Sequence, residues 1–146
     1  MTRLTLAALA ATAMLFAAPV AAQDVAPFKD GSYWSVTGIH VKDGSGLTYA
    51  NHLAKSWVTQ QEWSKSKGYS RGYHVLANEN PREGEPHVYL VTIFDKRADG
   101  AEAERRGVEY RASMKTTMDQ MEAESGKRAD YRTVGSNMLL VEQMKR

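Results

Sequence analysis

The stretch Ser32–Leu76, SYWSVTGIHVKDGSGLTYANHLAKSWVTQQEWSKSKGYSRGYHVL, carries the first three elements of the fold. Tyr33 to Val41 alternates with period two and is rich in Tyr, Trp, Val, Thr and Ile, residues that favour the pleated conformation. Trp34, Val36, Gly38 and His40 fall on one face, and Tyr33, Ser35, Thr37, Ile39 and Val41 on the other. Both faces hold apolar residues, the pattern of a central strand covered on both sides.

Asp43-Gly44-Ser45-Gly46 ends that strand. A phosphate-cradling loop would need a longer glycine run closing on Gly-Lys-Ser/Thr, and a dinucleotide fingerprint a third glycine three residues on. Leu47-Thr48-Tyr49 follows instead, so both patterns fail. The segment reads as a turn in which Ser45 caps a helix by accepting from backbone N–H groups. A helix N-terminus also retains some attraction for anions, against which Asp43 acts.

The helix is expected over Leu47 to about Lys67, with Gly68 stopping it. Steps of 100° place Leu47, Ala50, Leu53, Ala54, Trp57 and Val58 in one arc, the expected core face. Tyr49, His52, Ser56 and Trp63 form a second group off that arc, which suggests contact with a partner. Tyr69 to Leu76 is the second strand.

Beyond this stretch, Ala77 to Pro86 is a polar, acidic connection, long for a hairpin loop. His87 to Phe94 is the most strand-like run in the chain. Ala101 to about Ser125 reads as a second helix, with Ala103, Gly107, Tyr110, Met114, Thr117, Met118 and Met121 on one face. Gly126 ends that pattern, Lys127 to Gly135 is basic and irregular, and Asn137 to Met144 is a final strand.

The other end of the chain has a different character. Arg3 precedes an uncharged run, Leu4 to Ala18, then Pro19 and the small residues Val20-Ala21-Ala22. This is the layout of a secretory signal peptide, residues 1–22, cleaved after Ala22. Export to the periplasm or outside the cell is the expected localisation. Residues 23–146 then form a single domain of 124 residues, with no other long apolar run and no membrane insertion once the leader is removed. The chain has 19 Lys and Arg against 17 Asp and Glu; without Arg3 the net charge is +1. The charges are interspersed, and Lys65, Lys67 and Arg71 cluster only loosely, so no nucleic-acid patch is read. With no cysteine there is no disulfide, thiol nucleophile or Cys-ligated metal. A domain of this length can be held by its core alone.

Strand, helix, strand, strand, helix, strand folds most simply into one four-stranded antiparallel sheet with both helices on one face. The chain thus belongs to the α+β class with ferredoxin-like βαββαβ order. The other sheet face needs covering, and a second copy is the simplest cover. In element order and patterning the chain resembles the dimeric α+β barrel proteins over nearly all of residues 23–146. The resemblance implies a homodimer and an activity drawn from that group: cofactor-free monooxygenases, haem-binding and haem-degrading proteins, and small proteins of other roles.

Four histidines, His40, His52, His74 and His87, lack the spacing of a metal motif, and no metal site is expected. His74 and His40 stand among apolar strand residues and are the candidate acid, base or, through the resemblance, haem ligand. Trp34, Trp57, Tyr73 and Tyr89 are the candidate lining of a pocket for a small apolar or aromatic ligand between helices and sheet. Met114, Met118 and Met121 read as core. No pair of carboxylates and no nucleophile-elbow motif accompanies them. The residues themselves call for no cofactor. Three functions stay open at this point: a small-molecule-binding protein, an oxygenase-type or haem-handling enzyme of the same fold, and a module that only associates.

Overall fold

The computed structural model describes residues 25–146, so the expected signal peptide lies outside the described residues. Strands β1 (Phe28–Val41), β2 (Gly72–Ala77), β3 (Val88–Phe94) and β4 (Arg132–Lys145) form one antiparallel sheet in the order β2-β3-β1-β4. Helices α1 (Gly46–His52) and α2 (Val58–Ser66), joined by a π-helical turn over Leu53–Trp57, connect β1 to β2. Helices α3 (Gly100–Met114) and α4 (Met118–Arg128) connect β3 to β4. This is the ferredoxin-like βαββαβ arrangement. No helix among the described residues is long and apolar enough to cross a membrane.

Register fixes the two faces. Tyr33 opposes Phe94, Thr37 opposes Leu90 and Ile39 opposes Val88 across β1–β3, and Tyr73 opposes Thr92 across β2–β3. Alternation therefore puts Ile39, Leu90 and Tyr73 on the helix side, and Trp34, Val36, Tyr89, Val91 and His74 on the open side. The core cluster is Ile39, Tyr49, Leu53 and Leu90, with Val41, Trp57, Val88 and Tyr131 packed against it. Val36 and Val91 are buried on the opposite face. At roughly 1.5–3 kcal/mol for each fully buried large apolar side chain, the small helix-side cluster supplies much of the cohesion between the two layers.

The first helical segment departs from its expected orientation. Leu47 is 77% exposed, whereas Tyr49 is only 2% exposed. The buried face runs Tyr49, Leu53, Trp57 and Gln61, at successive spacings of four. In an α-helix of about 3.6 residues per turn, a spacing of four drifts by about 40° at each step. The wider π turn takes up that drift and keeps the four residues on the sheet. Tyr49 and Trp63, read from sequence as a partner-facing set, thus pack inside the protomer.

The cap also differs. Gly44 takes a positive φ in the turn closed by the Ser45 N–H on the Lys42 carbonyl, and Ser45 occupies the N-cap. The Ser45 side chain makes no capping bond; its carbonyl accepts from Tyr49 N–H at 2.9 Å.

The second helical segment is two helices. Lys115 adopts a left-handed conformation (φ 51°) and closes α3, and Thr117 starts α4 with a capping box. There Thr117 Oγ1 accepts from Gln120 N–H, while Gln120 Oε1 accepts from Thr117 N–H. Gly126 lies within α4 rather than ending it, and the segment expected to be irregular is divided between α4 and β4. Asp99 caps α3 through Glu102 N–H at 2.8 Å.

The long β2–β3 connection folds on itself. Arg82 donates to Glu85, and Asn78 Nδ2 donates to the Pro86 carbonyl. His87 N–H donates to the Ile39 carbonyl, and the His87 ring accepts from Val41 N–H, which ties the loop to the end of β1. Pro86 lies over Gly38, where a Cβ would come within 2.5 Å of the proline ring. The loop thus covers one end of the open sheet face.

Candidate functional site

Few of the described apolar side chains are fully buried, and none of those lies on α3 or α4. These two helices span the sheet without sealing against it, and two clefts remain between the layers. The first, about 470 Å³, is bounded by Trp63 and Tyr69 on one side, Phe94 on the sheet, and Arg106, Tyr110 and Arg111 on α3. The second, also about 470 Å³, has Ile39 and Leu90 as its floor, with walls that include Tyr49, Trp57, Met114 and Arg128. Gln60, Tyr110 and Met121 line both, so the clefts meet beneath α3.

Aromatic contacts shape these walls. The Trp63 and Tyr110 rings meet edge to face with centroids 5.1 Å apart, and Trp63 meets Tyr69 at 5.7 Å. The Trp63 indole N–H is buried with no N or O acceptor among the described residues; steeply inclined rings, here at 63° and 69°, are a setting in which an N–H can meet a π face. Tyr69 is held in turn. Its hydroxyl donates to Glu109 at 2.6 Å, and the Arg106 guanidinium lies 4.2 Å over its ring. Lys67 pairs with Glu109 at 2.7 Å, joining the end of α2 to α3. Gln61, buried on the sheet side, accepts from Thr92 Oγ1 at 3.1 Å.

Tyr49 and His52 of the second cleft cluster with Tyr131, with ring centroids 6.1–6.3 Å apart. Burial raises the Tyr49 hydroxyl above the ordinary tyrosine range, with Arg132 and Arg128 pulling against it. Burial, then Arg128 and Arg132, holds the His52 imidazole below the ordinary histidine range. At Tyr110, burial again pushes the hydroxyl up.

The residues singled out from sequence are distributed among three places. Trp57 lines the second cleft, where its ring meets Tyr73 edge to face at 5.4 Å. Tyr73 itself faces a third hollow, about 660 Å³, wrapped around the β2 edge together with Trp34 and His74. On the open side, the Trp34 and His74 rings stack across β3 with centroids 6.3 Å apart. Tyr89 and His40 line none of the three; His40 lies against Gly135 and meets the His87 ring edge-on at 5.9 Å. Two polar groups of the third hollow, Tyr73 and Arg71, already have partners. The Tyr73 hydroxyl donates to Glu62 at 2.6 Å, and Arg71 pairs with Asp95 at 3.3 Å.

His40 and His74 therefore face away from the clefts, and neither can ligate a haem held there. Among the described residues no cluster of His, Asp or Glu is placed to hold a metal ion. The sheet keeps Trp34 and Tyr89 on one side and Trp57 and Tyr73 on the other, so the four do not line one cavity. Tyr49, Tyr110, Met114 and Met121 supply the cleft lining instead. Met114 and Met121, read from sequence as core, are only half-buried and border the open space.

No family model matches the chain, and no curated protein or solved structure matches it.

Proposed function

We propose that this chain is an exported small-molecule-binding protein whose ligand occupies the joined clefts between the helices and the sheet. One observation carries the reading: two clefts of about 470 Å³ share Gln60, Tyr110 and Met121 and are lined by aromatic and methionine side chains over the floor of Ile39 and Leu90. Each volume lies within the roughly 300–1,000 Å³ of small-molecule sites, and the lining combines aromatic and aliphatic side chains with a comparable number of polar and charged ones. Methionine suits such a site because its unbranched thioether adapts to the shape it meets.

The proposal includes a two-fold dimer of the α+β barrel type. Leu76, Met138 and Leu140 stand on the open sheet face at 50%, 41% and 50% exposure. Met138 and Leu140 adjoin Val36 and Trp34 in an apolar surface that a second sheet would cover, with Leu76 at the opposite edge of the sheet. Export rests on the Arg3, Leu4–Ala18 and Ala22 pattern of the leader.

Native mass spectrometry of protein purified from its own host tests the proposal. The expected species is a dimer of chains beginning at Gln23 that retains a small molecule. A chain carrying no ligand, and taking up none from a panel of apolar compounds, would contradict it.

A further inference from the structure

The second cleft contains two cations that form no ion pair among the described residues. Arg128 ends α4, Arg132 opens β4, and both are half-buried. Among the described residues the ion pairs engage Lys67, Arg71, Arg82, Arg105 and Arg106, but neither of these two. Glu124, one turn before Arg128, lines the same cleft and pairs with neither. Lys55 adds a further positive charge to the lining. The field of the two guanidiniums reaches both Tyr49 and His52 on the facing wall. The C-terminal dipole of α4 gives a reason for a cation at Arg128. It gives none for Arg132, and none for leaving both half-buried with no ion pair among the described residues.

Partial burial of an uncompensated charge is costly, and a bound anion would offset that cost. Guanidinium groups suit a carboxylate, which they can meet with two parallel hydrogen bonds. The same cleft holds the apolar floor of Ile39 and Leu90 and the Trp57 wall, together with Met121.

We infer that the ligand is an amphipathic carboxylic acid, its carboxylate seated at Arg128 and Arg132 and its apolar or aryl body lying along the cleft toward Tyr110 and Met121. The inference rests on the binding function proposed above and names the chemical class of its ligand.

The test is calorimetric titration of the mature protein at pH 7.5 with matched acid and alcohol probes: octanoate against octanol, and 2-naphthoate against 2-naphthol. At least one acid should bind about tenfold or more tightly than its alcohol, in line with a charge-assisted hydrogen bond. The Arg128→Gln/Arg132→Gln double variant should lose that preference while still binding the alcohol, and Arg128→Lys/Arg132→Lys should keep part of it. A second readout needs no variant: the His52 imidazole, followed by NMR, should titrate at higher pH with the acid bound and stay unmoved with the alcohol. Equal binding of acid and alcohol would overturn the carboxylate seat and leave the binding function standing. Failure of all four probes to bind would overturn both.

Discussion

Tyr110 meets Trp63 edge to face, with ring centroids 5.1 Å apart, across the space between α3 and α2. The contact ties α3 to the first helical segment where the two clefts join, because Tyr110 lines both. Aromatic pairs of this geometry contribute about 0.5–1.5 kcal/mol beyond area burial. Replacing Tyr110 with Ala should lower stability by about 2 kcal/mol, less than a fully buried aromatic costs, and should weaken ligand binding. Tyr110→Phe should keep both nearly intact. Urea denaturation of the three proteins checks the first point, and titration with an apolar probe the second.

The rotation of the first helical segment has a direct energetic consequence. Leu53 is 7% exposed in the core cluster, whereas Leu47 is 77% exposed. Leu53→Ala should cost about 2–4 kcal/mol through lost transfer energy and a residual cavity. Leu47→Ala should fall within about 0.5 kcal/mol of the parent. Paired denaturant midpoints decide it; equal losses at both positions would place the segment in the orientation its apolar residues alone suggest.

Acid should destabilise the protein in two stages. Burial, followed by Arg128 and Arg132, lowers the His52 pKa, with Glu124 acting in the opposite sense. The unfolded chain therefore takes up this proton first, near pH 6.5. The stability contribution is complete above that pH and is lost as pH falls toward the folded value. The carboxylates act lower. Hydrogen bonds from Arg105 and Arg106 hold Glu102 at about 2, and Lys67 and Tyr69 hold Glu109 below the ordinary range. Their contribution is present above about pH 4.3 and is lost as pH falls toward 2. Calorimetric Tm across this range should show both declines. His52→Gln should remove the first, and Glu102→Gln should shrink the second. These carboxylates are solvent-accessible, so the second effect should weaken in salt.

The open sheet face bears on assembly. Leu140 opposes Trp34 across β1–β4 and is half exposed there. Leu140→Glu should place a charge in the centre of the proposed dimer contact and yield a monomer that retains the fold. Sedimentation velocity of parent and variant measures it. A parent that stays monomeric at tens of micromolar would remove the dimer and leave the clefts unaffected.

Period two in Tyr33–Val41 and the strand-like run His87–Phe94 are enough to read the central strands, and the order of strands and helical stretches is enough to read the topology. The helix face was harder to read. Leu47, Ala50 and Ala54 are apolar but exposed, and the buried Tyr49, Leu53, Trp57 and Gln61 share a face only because a π turn intervenes. Steps of 100° cannot register that turn. The break between α3 and α4 had a local signal, Thr117-x-x-Gln120, the pattern of a capping box. The site was legible only in part. An aromatic lining was expected and Trp57 belongs to it, but strand alternation sends Trp34 and Tyr89 to the opposite face. Tyr110 meets Trp63, and Arg128 and Arg132 share a cleft with the first helical segment, from distant parts of the chain; tertiary placement of that kind leaves no spacing in the sequence.

The binding cleft can be tested through methionines already in the chain. Met114 and Met121 line the second cleft, Met118 lies exposed on α4, and Met138 faces the open side of the sheet. Methyl NMR of ¹³C-methionine-labelled protein during titration with 2-naphthoate reports each position separately, since an aryl ring shifts the methyls it approaches. The Met114 and Met121 signals should move together and saturate, with Met118 and Met138 unchanged. Saturable movement confined to Met138, or no movement at any methionine, would contradict a ligand site between the helices and the sheet.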